Sequence, residues 1–97
     1  MKRNELENFL DEHENSYLQF HEVRIKKSSR PDLHAFLILN ELFPDEKNIL
    51  FAAEHDEVRL NVNMDEFCKR TTKEIVLDLH RCGILYDKLN DFLFMYV

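Results

Sequence analysis

Hydrophobic side chains in this 97-residue chain recur with two periods, and the switches between them mark the elements. Over residues 3–14, Leu6, Phe9, Leu10 and His13 keep the three- and four-residue spacing of one helix face, with Asn4 as the candidate cap. Asn15-Ser16 ends that pattern. Residues 17–26 (YLQFHEVRIK) alternate instead, Leu18 and Phe20 against Val23 and Ile25 with a slip of one residue, which predicts a strand with a bulge; a first helix running through Phe20 is the alternative. Residues 30–43 (RPDLHAFLILNELF) predict a central helix. Ser29 is placed to cap it and Pro31 suits its first turn. Its apolar side chains cover nearly the whole circumference and leave His34 and Glu41 as a narrow polar stripe, so it needs cover on more than one side. Pro44-Asp45 stops it.

Residues 48–62 predict a hairpin, with NILFAA as its first strand, Glu54-His55-Asp56-Glu57 as its turn and VRLNV as its second strand. Asn63-Met64-Asp65-Glu66 has the form of a capping box and opens what the spacing predicts to be one uninterrupted helix over 64–82. Met64, Cys68, Thr71, Ile75, Leu79 and Cys82 share its inner face with Phe67 beside them. Val76 and Leu77 fall outside, with Lys69, Lys73 and His80. Gly83, the single glycine, stands where a left-handed C-cap belongs. Residues 84–97 predict a last hairpin turning near Lys88-Leu89-Asn90-Asp91. Its second strand sets Phe92, Phe94 and Tyr96 on one face and Leu93, Met95 and Val97 on the other. Two apolar faces predict an inner strand between layers, with helix 64–82 on one side and helix 30–43 or the N-terminal helix on the other, or else a strand completed by a partner chain. The sum is an α+β class: a single compact domain over 1–97, about three helices packed on an antiparallel or mixed sheet of four to five strands, in the order α-β-α-β-β-α-β-β.

Composition narrows the chemistry. The apolar fraction of 44% and charged fraction of 33% are those of a folding chain, and no apolar run approaches the length of a membrane span. Residues 1–15 are too acidic for a targeting peptide, so the expected compartment is the cytoplasm. Cys68 and Cys82 lie about 21 Å apart along one helix, too far for a disulfide, and read as small buried apolar residues. One glycine excludes the phosphate-binding loops, which need several, and neither G-x-S-x-G nor H-E-x-x-H occurs. Asp78-x-His80-x-Cys82 gathers three ligand types, yet on a helix His80 points about 200° from its neighbours two residues away. No metal and no cofactor is expected. The acid pairs Asp65/Glu66 and Glu54/Asp56/Glu57 sit in a cap and a turn, where structural roles prevail. The chain therefore reads as non-enzymatic.

Net charge is −6 and unevenly spread. Residues 32–66 are the most acidic stretch, opposed only by Lys47 and Arg59, whereas 16–31 carry Arg24, Lys26, Lys27 and Arg30 against Glu22 alone. Those four cations are the candidate phosphate contacts, since they lead into a helix N-terminus. Overall acidity disfavours nucleic acid and favours basic protein surfaces. The candidate partner-binding residues are Val76 and Leu77, rimmed by Lys69, Lys73 and His80, together with the acidic turn Glu54, Asp56 and Glu57. The expected function is a small acidic protein-binding module, an inhibitor in the style of the anti-defence (anti-CRISPR-like) proteins of phages and mobile elements, covering a basic functional surface of its target. The alternative starts from Thr72-x3-Val76-x2-Leu79-x3-Gly83-Ile84-Leu85, preceded by helix 30–43 and strand 57–62. This run resembles the junction of recognition helix and wing in winged-helix regulators. The resemblance implies nucleic-acid binding through helix 64–82 and hairpin 84–97. A homo-oligomer joined through the C-terminal strand is a third possibility.

Overall fold

In a computed structural model, which describes residues 1–96, these periodicities resolve into four α-helices and one four-stranded antiparallel sheet. The order is α1 (Arg3–Glu12), α2 (Pro31–Leu42), β1 (Leu50–Glu54), β2 (Glu57–Leu60), α3 (Met64–Arg70), α4 (Lys73–Arg81), β3 (Leu85–Asp87) and β4 (Phe92–Tyr96). The α+β class stands; the helix count is four rather than three, and the sequence of elements is α-α-β-β-α-α-β-β. Val97, assigned to one face of the last strand by its alternation, lies outside the described residues.

Residues 17–26 form neither the strand nor the longer helix. Two single 3-10 turns, Glu14–Ser16 and Phe20–Glu22, carry the chain across, closed by local backbone bonds such as Gln19 N–H to Ser16 C=O and Val23 N–H to Phe20 C=O. The alternation has no neighbouring strand to pair with. Instead Val23 drops into the protein at 2% exposure, while Ile25 stands 84% exposed.

The central helix starts at Pro31 as predicted, but Arg30 is the residue before it and no side chain caps it; Ser28 Oγ rather than Ser29 serves the turn, accepting from Arg30 N–H. Asn4 likewise lies within α1 rather than capping it. His34, read as part of a polar stripe, is buried at 1% exposure. Its ring can go inside because the preceding loop supplies a donor: Lys27 N–H reaches Nδ1 at 3.0 Å, and the Phe20 ring meets it edge-on at 5.7 Å. The covered face of α2 is His34, Ala35, Ile38 and Leu39, and Leu33 is left outside.

The predicted single helix 64–82 is two helices. Asn63 caps the first as expected, its Oδ1 accepting from Glu66 N–H at 3.0 Å. Thr71 and Thr72 then turn extended, and Thr72 Oγ1 accepts from Ile75 N–H at 3.2 Å, capping the second. Tandem threonines are stiff at χ1 and compete for backbone donors, which favours a cap over a continuing helix. The break resets the phase. Val76, Leu79 and His80 face inward, at 3%, 2% and 4% exposure. Gly83 closes α4 at φ +101°, and a Cβ there would lie 3.0 Å from Leu18 Cδ2.

Sheet order is β1-β2-β4-β3, so β4 is an inner strand as predicted, pairing Val58 with Met95 on one side and Tyr86 with Leu93 on the other. Leu93 and Met95 join Leu6, Leu39, Phe67 and Val76 in the core. The opposite face of β4 lacks the second helical layer that the sequence predicts. Phe92 and Phe94 are half-buried there and Tyr96 is exposed, stacked edge-to-face at 5.9 and 5.5 Å between ring centres, with the Arg59 guanidinium 4.8 Å above Phe92. A surface latch ties the last turn to the helices. Arg3 grips Asp91 with two bonds (2.9 and 2.6 Å) and Asp65 with a third, holding the Asp91 carboxyl down at about 2.

Candidate protein interface

The predicted partner patch does not survive as one surface. Lys69 and Lys73 are exposed and Leu77 is half-buried, but Val76 and His80 are inside. The physical reason is the break at Thr71-Thr72: it advances the helical phase so that the side of α4 carrying these two residues meets the core.

What surrounds Leu77 is an open groove of about 710 Å³, lined by Arg24, Ile25, Glu74, Leu77, Asp78 and Arg81. Two of its four charged side chains, Asp78 and Arg81, are paired with each other. Arg81 reaches Asp78 at 3.3 Å and Glu22 at 3.6 Å. The basic loop is similarly occupied: Lys27 pairs with Glu41 at 2.8 Å, Arg30 lies 3.7 Å from Asp32, and Lys26 sits 5.3 Å over the Phe20 ring. Only Arg24 of the four candidate phosphate contacts turns toward the groove. Along the solvent side of α4, Lys73 and Arg81 are matched by Glu74 and Asp78, so the segment that the winged-helix resemblance makes the recognition helix presents no excess positive charge.

The first hairpin differs. Glu54 and Glu57 form its closing pair, and Asp56 follows His55, whose φ of +54° makes the sharp turn. Among the described residues none of these three carboxylates makes an ion pair. At the other end of β1 from the turn, Leu50 and Phe51 are 54% and 70% exposed. Sequence reasoning found the acids and missed the apolar pair. NILFAA reads as a strand, which the structure starts at Leu50 and carries through Glu54 of the expected turn, but the residue pattern of one strand does not reveal that it will lie at a sheet edge.

Two histidines are the notable buried titratable groups. Lys27 N–H donates to His34 Nδ1, which leaves the proton on Nε2. His80 Nδ1 lies 3.2 Å from the Ile84 carbonyl and carries the proton that it donates. Nε2 of each ring is buried without a partner among the described residues. Burial pushes both rings below the ordinary 6.5, since charging either would strand a cation in apolar surroundings. Linkage follows with a definite sign: the unfolded chain takes up protons near 6.5 while the folded chain does not, so stability present above that pH is lost as the pH falls below it. Urea midpoints are expected to drop between pH 7 and pH 5, and the drop to flatten in a His34→Gln/His80→Gln double variant; a wild-type midpoint constant over that range would refute it. Asp91 titrates far below this window, at about 2, and does not confuse the measurement.

Among the described residues no three of His, Cys, Asp and Glu come together to hold a metal ion, and no helix is long and apolar enough to cross a membrane. Compared with protein-family models, curated proteins and solved structures, the chain matches none.

Proposed function

We propose that this chain is a non-enzymatic, acidic protein-binding module whose target presents a basic surface, and that it acts by covering that surface, as an inhibitor does. The observation that carries the reading is the first hairpin, where exposed Leu50 and Phe51 share β1 with Glu54, and where among the described residues none of Glu54, Asp56 and Glu57 makes an ion pair. An apolar centre with an unpaired charged rim is the build of a protein contact, and rim charges of one sign select a partner of the other. The net charge of −6 points the same way.

A second reading, the nucleic-acid-binding regulator, draws its support from topology. The break at Thr71-Thr72 gives two short helices before the C-terminal hairpin, and β2-β4-β3 pair in the order a winged helix requires. The balanced charge of α4 and the acidic turn Asp87–Asp91 favour use of that arrangement against protein rather than against phosphate.

The deciding experiment is capture by the immobilised chain with identification by mass spectrometry, run in parallel with a Glu54→Lys/Asp56→Lys/Glu57→Lys variant. A defined protein retained by the first and lost by the second is expected. Tight, salt-dependent gel shifts of duplex DNA, or no specific protein at all, would overturn the reading.

A further inference from the structure

We propose that β1 accepts an extended, basic segment of the partner protein as a fifth strand of the sheet. The inference rests on the protein-binding reading and adds the mode of contact.

β1 ends the order β1-β2-β4-β3 and, among the described residues, pairs only with β2. In an antiparallel ladder alternate N–H and C=O groups of an edge strand point away from the neighbour, so Leu50–Glu54 offers an unfilled set. Protective devices are sparse along it. LFAAE contains no lysine and no proline, and a register shift between Leu50 and Ala52 is its single irregularity. Leu50 and Phe51 stand out into solvent beside the open ladder, ready to cover the side chains of an added strand. The opposite edge, β3, is three residues long and half-buried throughout, which suits it less.

Charge selects the occupant. Acids flank the strand at both ends, Asp45 and Glu46 before it, Glu54 as its last residue and Asp56 and Glu57 after it, with Lys47 as the one lysine or arginine between residues 45 and 57. A second copy of the chain added antiparallel about Phe51-Ala52 would set Glu54 of each molecule opposite Ile49 of the other, where it meets no cation. Added parallel and in register, it would set Glu54 against Glu54. Like charges opposite one another destabilise a ladder, so parallel self-pairing is disfavoured, and antiparallel self-pairing gains nothing from charge. A strand carrying arginine or lysine at both ends meets opposite charge at both. This is strand addition, with main-chain bonds giving affinity and side chains giving selection.

The test is an NMR titration of the intact chain with a capped nine-residue peptide, RVTVRVTVR, beside two relatives: one with glutamate for arginine, one N-methylated at its five central residues so that both edges of the strand lose ladder donors. The arginine peptide is expected to shift the amides of Leu50–Glu54, and to lose about tenfold in affinity between about 50 and 300 mM salt. Both relatives, and the arginine peptide against a Phe51→Lys variant that keeps its circular dichroism spectrum, are expected to bind about tenfold more weakly. Equal binding by the N-methylated peptide would overturn strand addition while leaving the acidic surface intact. Equal binding by the glutamate peptide would overturn the charge selection, and concentration-dependent dimers with β1 shifts in the absence of peptide would make a second copy the occupant. No β1 shift with the arginine peptide would overturn the inference alone if the charge-reversed capture experiment still yields its partner, and both readings if it does not.

Discussion

Deleting residues 92–97 is expected to abolish cooperative folding. β4 hydrogen-bonds to β2 on one side and β3 on the other, so its loss leaves a two-stranded hairpin and an isolated three-residue strand. Neither is stable alone. Leu93 and Met95, at 2% and 8% exposure, leave with it and uncover the surface of Leu6, Phe67 and Val76 that they closed. Truncating one such side chain to alanine costs about 2–5 kcal/mol, and removing two together with a double ladder matches the roughly 5–15 kcal/mol that hold a domain of this kind. The measurement is far- and near-UV circular dichroism with urea. Retention of a steep transition would overturn the core assignment of β4 and make it an interface strand. The single change Tyr96→Ala, on the open face, should leave the transition within about 0.5 kcal/mol of wild type.

That strand also shows which parts of the fold the residue pattern encodes. Its inner position was legible, because Phe92-Leu93-Phe94-Met95-Tyr96 is apolar on both faces. Its cover was not: the second face is partly covered by its own aromatic stack and Arg59 rather than by a helix, and a one-strand pattern says nothing of side chains packing on one another across a face. Gly83 was legible because a positive φ has one inexpensive residue. The two hairpins were legible from alternation bounded by polar turns. His34 was not, since its burial depends on a donor seven residues away at Lys27. The segment 17–26 alternates without a partner strand, and alternation by itself cannot tell a strand from a wall of turns with inward and outward side chains. For the candidate interface, the acidic turn and the basic loop were found where their charges placed them, whereas the exposed edge of β1 follows from strand order, a long-range property.

The sharpest consequence of the helix break concerns two neighbouring residues. Val76→Asp is expected to cost about 3–5 kcal/mol, and Leu77→Asp no more than about 1 kcal/mol. A continuous helix from Met64 would put both on its outer side, and both aspartates would then be cheap. With Thr72 starting a new helix, Val76 instead faces Leu6, Phe67, Leu79 and Leu93, and a carboxylate there has no cation and no donor to meet. Leu77 opens on the groove, where a carboxylate stays solvated among both signs of charge, Arg24 and Arg81 with Glu74 and Asp78. Urea unfolding of the two variants at pH 7.5, above the titration of His34 and His80, measures the difference without interference from the buried rings. Similar small losses at both positions would restore the single helix and return Val76 to the surface. A large loss at Val76 alone fixes the register of α4, and with it leaves Leu77, Ile25 and the charges around them as what this helix can offer a partner, so that the exposed apolar residues and open edge of β1 stand as the stronger candidate contact.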